Sequence, residues 1–501
     1  MILARAGNQL FTLHVDHHDL DRLSILWKLA DRIEELHYST KLQLLPSFLS
    51  SFGPAPNLKV IHLRPELTVG IEEPTPLINL PVIFSGCLPS LRNLSLTNTV
   101  TWPTGLFRGL VSFECGTLDH YPISPVHVLD VLRESPSLEY IRLVGYCETS
   151  EGFHPPTVAL LSLEKCTLIG RGTTSLIRFL TIPAPALVFL SRPYIDDGMV
   201  FPKFDDISAA PGLRVLDGVS AVSFFITDYA VRLQAKNDRG GVLEVEVDEL
   251  YDLSRDPVIF GYFIRSSFQC GRTCPGFKTT KEFTLDIERG RIWEPEEATC
   301  LGLDVMVFIF EFPSIEEVKL HGVPPLEFSS ILEFLHNAAK SEPSCPNLKR
   351  LYIESIPLRS PRSLLAELDK LLVERKEADV SLHSMTVKVK CERLIPTADH
   401  RAVLTDWEGI VEGGVRLEYE KTKVKKLPRC RRRNYEDEDE CGSEGDERDS
   451  GDEDEDWDGD ENGDDEDEGE DGRVAPADPD DVGWGGWPEE WPVTVEEMKG
   501  R

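Results

Sequence analysis

The chain has 501 residues, of which 41% are hydrophobic, and a net charge of −34. Residues 436–471 hold 24 acidic residues and one basic residue, so this segment carries −23 of that charge. The remainder is only mildly acidic for a chain long enough to bury a large core, which argues against a basic fold that binds nucleic acid directly.

The N-terminal sequence MILARAGNQLFTLHV does not look like a secretion signal, because Arg5, Asn8 and Gln9 interrupt it early. The longest uncharged apolar window, residues 179–191, contains two prolines and is too short to span a bilayer. Eleven cysteines without dense pairing are typical of a reducing compartment. We therefore expect an intracellular protein, in the nucleus, the cytoplasm or both, with no membrane association.

One spacing of apolar residues recurs along the chain, in which an aliphatic anchor is followed by apolar residues three and five positions later. The complete units are Leu10/Leu13/Val15, Ile33/Leu36/Tyr38, Leu58/Ile61/Leu63, Leu91/Leu94/Leu96, Leu110/Phe113/Cys115, Leu138/Ile141/Leu143, Val158/Leu161/Leu163, Ile315/Val318/Leu320, Leu348/Leu351/Ile353 and Leu382/Met385/Val387. Two further units, Leu187/Leu190 and Leu213/Leu216, lack the last apolar residue. Because alternate residues of a strand share a face, each unit predicts a short strand with one apolar side.

Proline stands two residues before the anchor in eight of these twelve units, at Pro56, Pro89, Pro136, Pro156, Pro185, Pro211, Pro313 and Pro346. Proline ends a helix and favours extended chain before it. Residues 124–136 and 329–343 have apolar residues at three- and four-residue steps, which predicts helices. A helix followed by a strand every 19 to 34 residues predicts an α/β solenoid with a curved parallel sheet.

The segment VALLSLEKCTL, residues 158–168, matches the pattern L-x-x-L-x-L-x-x-[NC]-x-L, with valine in the first position. It resembles the leucine-rich repeat. This resemblance implies a solenoid with outer helices and a concave surface that binds a protein partner. It also implies that Cys166 is structural, facing inward to bond or pack under the turn.

The segments PNLKVIHLR, SPSLEYIRLVGY and CPNLKRLYIES resemble the repeats of fungal F-box proteins. LARAGNQLFTLHV, residues 3–15, resembles the leucine- and arginine-rich stretch that follows the F-box in that family. The F-box itself does not appear in this sequence. The resemblance implies a substrate-recognition component of a ubiquitin ligase, with binding to the ligase adaptor expected if an F-box is restored.

The repeat pattern divides the chain into regions. Leucine-rich repeats are predicted over residues 1–225 and again over 313–420, where the last part forms a C-terminal cap. Between them, residues 226–312 contain VLEVEVDELYDL and KEFTLDIERG, which read as strands without clear anchors. This region holds either degenerate repeats or an insertion.

The composition changes abruptly after about residue 420. Residues 421–433 form a basic segment with eight lysines and arginines, which serves as a nuclear-localisation signal or an anion-binding patch, or else pairs loosely with the acids that follow. Residues 434–481 combine low hydrophobicity with high charge, which predicts a disordered acidic tail. Such a tail suggests the alternative function of a nuclear scaffold that binds histones or other basic proteins.

Three smaller features of the tail each have a structural and a functional interpretation. Residues 458–469 begin like a calcium-binding EF-hand loop, but Gly469 occupies the position that needs a glutamate. Ser443 and Ser450 are followed by acidic residues, which suits an acidophilic kinase or a plain spacer. The segment 482–501 concentrates Trp484, Trp487 and Trp491, which either dock on a partner or fold back onto the solenoid.

No motif predicts catalysis, a cofactor or a bound metal. The segment HVDHHD contributes His14, Asp16, His17, His18 and Asp19, but no second ligand group at a recognisable spacing accompanies it. Cys270 and Cys274 lack a partner pair for zinc, and Gly170 and Gly172 lack the third glycine of a dinucleotide loop. The sequence therefore predicts a non-catalytic, protein-binding solenoid.

Overall fold

The structure is a computed structural model that describes residues 9–15, 28–39, 45–64, 79–99, 101–117, 122–147, 153–170, 172–193, 212–227, 230–248, 275–288, 312, 314–323, 331–332, 335, 345–355, 362–391 and 404–421. All of these residues belong to one compact unit, residues 1–426. The acidic tail and the tryptophan-containing segment lie outside the described residues.

Short strands dominate this unit. They are β1 Phe11–Val15, β2 Ile33–Tyr38, β3 Val60–Leu63, β4 Asn93–Thr97, β5 Ser112–Gly116, β6 Tyr140–Val144, β7 Val158–Ala159, β8 Lys165–Ile169, β9 Leu180–Thr181, β10 Leu187–Pro193, β11 Val219–Ile226, β12 Val231–Asn237, β13 Val242–Asp248, β14 Glu282–Ile287, β15 Glu317–Val323, β16 Arg350–Ser355, β17 Ser384–Cys391 and β18 Val415–Lys421. The α-helices whose bounds lie within the described residues are α1 Leu45–Ser50, α2 Pro125–Arg133 and α3 Arg362–Glu377. Residues 331–332, 335 and 404–408 are also helical.

Sixteen of the strands form one sheet, in the order β1-β2-β3-β4-β5-β6-β8-β10-β13-β12-β11-β14-β15-β16-β17-β18. Every neighbouring pair is parallel except the two pairs that include β12. The predicted α/β class with a long parallel sheet is therefore confirmed. The remaining strands, β7 and β9, form a separate parallel pair.

The core consists of two rows of side chains that run across the whole sheet. The first row joins Leu13, Leu36, Ile61, Leu94, Phe113, Ile141, Cys166, Val188, Leu243, Ala235, Val222, Phe283, Val318, Leu351, Met385 and Val415 in register. All of these except Val415 are buried, and a parallel row two residues further along packs beside them. Each strand thus buries apolar area against its neighbours, which is the main stabilising term of such a sheet.

Nine of the twelve units predicted from spacing place their second and third apolar residues in these two rows. The prolines act as expected in several of them. Pro56, Pro89, Pro136 and Pro346 each begin a turn, and the strand starts four residues later. The anchors that follow these prolines are buried beneath the turn.

Three units were predicted in the wrong frame. The unit at Val158 is really Leu163/Cys166/Leu168, because Lys165–Ile169 is the strand and Leu161 is 66% exposed in a turn. In β10 the inward residues are Val188 and Leu190, and β11 supplies the complete unit Val219/Val222/Phe224. In a stretch rich in apolar residues, an anchor followed by apolar residues three and five positions later can be placed at several starting points. Only pairing with the neighbouring strands selects one of them.

In the described residues, the connections between strands contain 3-10 segments as well as the α-helices that the repeat pattern predicted. Within the predicted helix 124–136, Pro125–Arg133 form α2 as expected. Of the predicted helix 329–343, only residues 331, 332 and 335 are described, and they are helical. Other connections are 3-10 segments, such as Thr174–Phe179 and Arg214–Leu216. None of the helices in the described part has the length and apolar content needed to cross a bilayer.

A β-hairpin interrupts the parallel order in the middle of the sheet. The chain leaves β10, forms β11 and then returns through β12 and β13, so that β13 rather than β11 lies beside β10. β14 then pairs with β11 and resumes the parallel order. The described parts of residues 226–312 thus contain an antiparallel hairpin followed by a strand that carries Phe283 and Leu285 in the two core rows.

The buried Asn237 fixes this hairpin to the turns before it. Its Nδ2 donates to the carbonyl oxygens of Ala184 and Val215, each at 2.8 Å. Its Oδ1 accepts from the backbone N–H groups of Arg239 and Gly241, each at 2.9 Å. All four hydrogen-bonding positions of the amide are therefore used inside the fold.

Candidate functional site: the exposed face of the sheet

Side chains that alternate with the core rows form a second, polar surface, which we call the exposed face. One aligned row of it comprises His14, His37, His62, Ser95, Glu114, Arg142, Thr167, Phe189, Glu244, Gln234, Ser223, Thr284, Lys319, Tyr352, Thr386 and Arg416. Most of these side chains are partly or fully exposed. Parallel strands thus present side chains from distant parts of the sequence as one surface.

Five apolar side chains lie at neighbouring register positions on the middle strands of the exposed face, and we call this set the apolar centre. It consists of Val144, Ile169, Leu187, Phe189 and Val242 on the adjacent strands β6, β8, β10 and β13. Leu187 is 47% exposed, and the other four are partly exposed. A cluster of this kind within a polar surface is typical of a protein-binding site.

A tyrosine and a lysine border the apolar centre on its N-terminal side. The Lys165 ammonium lies 5.8 Å from the centroid of the Tyr140 ring, close enough for a cation–π contact. Burial raises the pKa of Tyr140 to about 12, and the nearby Glu114 carboxylate, to which the phenol is hydrogen-bonded, adds to this rise. The tyrosine hydroxyl therefore remains protonated and can donate over the physiological pH range.

Ion pairs border the apolar centre on its other side. Arg232 on β12 contacts Glu246 at 2.7 Å and Glu244 at 3.3 Å, and both glutamates lie on β13. Gln234 donates to Glu244 at 2.9 Å. These cross-strand pairs hold the hairpin in register and form a polar rim next to Val242.

The network continues over the next strands. Lys319 on β15 bridges Glu282 on β14 and Glu317 on its own strand, and Glu317 also accepts from Arg350 of β16 at 2.9 Å. Glu282 and Glu317 stand directly opposite each other, and the Lys319 ammonium compensates these two like charges. This part of the exposed face is therefore charged but locally compensated.

Glu354 on β16 is the centre of a further cluster. It accepts hydrogen bonds from the Lys390 ammonium and from the Tyr352 hydroxyl, the latter at 3.0 Å, and His321 lies 3.6 Å away. The hydrogen bond from Lys390 lowers the pKa of the Glu354 carboxyl to about 2, although partial burial opposes the shift. Lys388 lies 5.8 Å from the centroid of the Tyr352 ring.

Glu354 is expected to stabilise the fold at neutral pH but not in strong acid. Because its pKa in the folded chain lies below the ordinary value of 4.5, its contribution is complete above that pH and is lost as the pH falls towards 2. Glu354→Gln should lower the unfolding free energy at pH 7 by about 1.5–3 kcal/mol, the usual worth of a hydrogen bond to a charged group, since both side chains of the Glu354–Lys390 pair are mostly buried. The difference in thermal midpoint between wild type and Glu354→Gln, measured at pH 7 and at pH 2.5, tests this. A difference of the same size at both pH values would contradict it.

Three histidines stand side by side at the N-terminal end of the exposed face. The rings of His14 and His37 stack at 4.5 Å between centroids, and those of His37 and His62 stack at 4.8 Å. Glu35 lies 3.6 Å from His37 and accepts from Thr12 at 3.1 Å. Of the sequence HVDHHD, the structure thus places His14 in this stack, while Asp16, His17, His18 and Asp19 lie outside the described residues.

Cys166 is the second residue of β8 and faces the core from the strand itself, whereas the repeat pattern placed it beyond the strand, under the turn. It is fully buried, and burial raises the pKa of its thiol to about 12. A thiol that remains protonated is a poor nucleophile and a poor metal ligand. The structural role predicted for Cys166 is supported, whereas its predicted position in the repeat was wrong.

The two glycines at 170 and 172 also have structural roles. Both adopt positive φ angles, 111° and 73°. A Cβ atom on Gly170 would lie 2.3 Å from the carbonyl oxygen of Gly145, and one on Gly172 would lie 1.8 Å from that of Cys147. Successive turns therefore approach closely here, and only glycine fits.

Several predicted features lie where the structure gives no description. Cys270, Cys274, Ser443, Ser450 and the EF-hand-like segment 458–469 are all outside the described residues. Within the described ranges, no group of three or more histidine, cysteine, aspartate or glutamate side chains is arranged to hold a metal ion.

Sequence reasoning missed the residues of the exposed face. The repeat spacing is defined by apolar residues alone, so it makes no prediction about the polar residues between them. A signal did exist, since the residue between the two inward positions of each strand must point outward. Applied to the nine correctly framed units, this rule would have brought the three stacked histidines together.

Comparison with known proteins adds no family to these observations, since no protein-family model and no curated protein matches the chain.

Proposed function

We propose that this chain is a leucine-rich-repeat solenoid that binds a protein partner through the exposed face of its sheet and catalyses no reaction. The repeat spacing, the two continuous core rows and the parallel strand order support this proposal. Stacked repeats form extended surfaces that suit recognition of another protein. Because one fold serves many functions, we infer binding from the side chains of the site and not from the fold.

The apolar centre is the observation that carries the proposal. Leu187, the first residue of β10, exposes 47% of its surface beside charged and polar side chains. Energetically important residues of interfaces lie near the centre, surrounded by polar contacts that exclude water. The Tyr140–Lys165 contact on one side and the Arg232 ion pairs on the other form such a rim.

We further propose that the bound partner is a substrate of a ubiquitin ligase. The link to a ubiquitin ligase is supported by three segments that resemble the repeats of fungal F-box proteins, namely residues 56–64, 135–146 and 345–355. In the structure, these three segments lead into the equivalent strands β3, β6 and β16. Recruitment of the ligase adaptor would need an F-box, so substrate binding and adaptor binding are separable activities.

Leu187→Asp is expected to weaken partner binding by about thirtyfold, the effect of losing a central apolar contact worth about 2 kcal/mol. The measurement is affinity purification of the tagged chain from cells that express it, followed by titration of the partner that is recovered. Leu161→Asp is the matched control, because Leu161 is also exposed but lies in a turn away from the exposed face. Equal losses in the two variants would contradict the proposal.

The alternative function is a scaffold whose acidic tail binds histones or other basic proteins. The charge of −23 on residues 436–471 supports it. Binding of this kind should weaken steeply with salt, because exposed charges are screened within about 8–10 Å at physiological ionic strength. Binding through the apolar centre should change little with salt, so a salt series on the recovered partner separates the two functions.

A further inference from the structure

Three histidine rings stack in a row on the exposed face, and we call them the histidine stack. His14, His37 and His62 come from three adjacent strands, at sequence separations of 23 and 25 residues, and occupy equivalent positions. Their rings lie nearly parallel, with interplanar angles of 16° and 24°. Such stacking is favourable while the imidazoles are neutral.

The charged groups that face the stack nearly cancel each other. Glu35 on β2 lies 3.6 Å from His37, and Arg64 follows β3 on the same side of the sheet. On the next strand, β4, the equivalent residue is the uncharged Ser95, and Glu114 lies one strand further away. With neutral imidazoles, the described charged groups around the stack leave a small negative charge, because Glu35 and Glu114 outnumber Arg64 by one.

Protonation changes this balance sharply. Adjacent imidazolium rings at 4.5 and 4.8 Å would repel each other, as like charges do at short distance. Burial lowers the pKa of His62, and the neighbouring His37 and Arg64 lower it further. The His62 imidazole is therefore held neutral at pH 7, and protonation of the stack would place positive charges within a small area.

We propose that the histidine stack, with Glu35 and Arg64, is a second interaction surface that binds an acidic polypeptide segment when its imidazoles are protonated and releases it when they are neutral. An acidic segment relieves the repulsion between the protonated rings, so binding and protonation reinforce each other. The neutral stack offers such a segment little attraction. This surface lies on β1, β2 and β3, whereas the apolar centre lies on β6, β8, β10 and β13. It therefore goes beyond the proposed function and can be tested separately.

The test is the affinity of the full chain for a peptide of ten aspartates at pH 5.5 and pH 7.5, measured calorimetrically with EDTA present. Aspartate has an ordinary pKa of about 3.9, so the charge of the peptide stays nearly constant over this range. Wild-type binding should be about tenfold tighter at pH 5.5. EDTA ensures that metal ions bridging imidazoles do not contribute.

Two variants locate the effect. His37→Gln removes the central ring and should reduce the pH effect to less than about threefold, since the two remaining imidazoles no longer adjoin each other. His14→Gln changes a more exposed ring at the edge of the stack and should give an intermediate reduction. His154→Gln is the matched control, because His154 is exposed and outside the stack, and it should behave as wild type.

The proposal is overturned if wild-type binding does not change with pH, or if both stack variants retain the full pH effect. Either result would leave the proposed partner binding through Leu187 untouched. Conversely, loss of partner binding in Leu187→Asp with the pH effect intact would confirm both surfaces. Unfolding of His37→Gln would transfer the test to His14→Gln.

Discussion

Replacing Ile141 with alanine is expected to lower the unfolding free energy by about 2–5 kcal/mol, the usual cost of deleting buried methyl groups and leaving a cavity. Ile141 is fully buried in the first core row, between Phe113 and Cys166 on the neighbouring strands. Leu94→Ala and Leu351→Ala should have similar effects, because these residues occupy the same row. Chemical denaturation of the three variants provides the measurement.

Leu161→Ala is the control for this prediction. Leu161 was assigned to the same row by sequence spacing, yet the structure places it in a turn with 66% of its surface exposed. Its replacement should therefore change stability by less than about 0.5 kcal/mol. If Leu161→Ala were as destabilising as Ile141→Ala, the register of β8 would be wrong.

Damage from the Ile141 substitution should also be local. In an array of stacked strands, each element is stabilised mainly by its immediate neighbours. Amide hydrogen exchange in the Ile141→Ala variant should accelerate most in β5, β6 and β8, and least in strands at the ends of the sheet. Uniform acceleration over all sixteen strands would show that the sheet unfolds as a single unit.

Asn237→Ala is expected to be about as destabilising as Ile141→Ala and to lower the unfolding free energy by roughly 3 kcal/mol or more. The substitution leaves the carbonyl oxygens of Ala184 and Val215 and two backbone N–H groups without their buried partner. Each unsatisfied buried group costs about 1–3 kcal/mol, although water relieves part of this. Denaturation midpoints combined with hydrogen exchange of β12 and β13 would measure the effect.

Asn237→Asp tests the same site by another route. The aspartate keeps the acceptor for Arg239 and Gly241 but turns two donor positions into a carboxylate facing two carbonyl oxygens. The charged form is disfavoured there, so the folded-state pKa of the new carboxyl should rise. The variant should approach wild-type stability near pH 4 and lose stability as the pH rises to neutrality. Equal stability of the variant at pH 4 and at neutral pH would contradict the hydrogen-bond assignment.

Much of the fold follows from the sequence because one physical constraint repeats. Each strand must bury two alternate apolar side chains against its neighbours, which requires the spacing seen at Leu94/Leu96 and Leu351/Ile353. A turn-forming proline before each anchor adds an independent signal. The same reasoning failed near Val158, because Leu161, Leu163 and Leu168 satisfy overlapping frames and only pairing with β6 and β10 decides between them.

The inserted hairpin could be predicted only in part. Alternating residues in 231–237 and 242–248, joined by a short loop containing Gly240 with a φ of 84°, are a hairpin signal. What the local sequence does not encode is that β13 returns to β10. That choice depends on contacts such as Asn237 with Ala184, which are 53 residues apart in sequence.

The exposed face was the least predictable part of the molecule. The cluster of Tyr352, Glu354 and Lys390 joins residues whose proximity depends on the register between β16 and β17. The same holds for the apolar centre, where Leu187 reads as a core residue in the sequence but points outward. A one-residue shift in register exchanges the two faces of a strand. An error in the predicted register therefore assigns a surface residue to the core.

The measurement that tests the central claim most directly is the affinity of the recovered partner for the chain with residues 434–481 deleted. If binding resides in the exposed face of the sheet, this deletion should change the affinity by less than about threefold, as expected for distant screened charges. Under the same conditions Leu187→Asp should weaken binding by about thirtyfold. Loss of binding on deletion, with unchanged binding by Leu187→Asp, would contradict the claim and assign the function to the acidic tail.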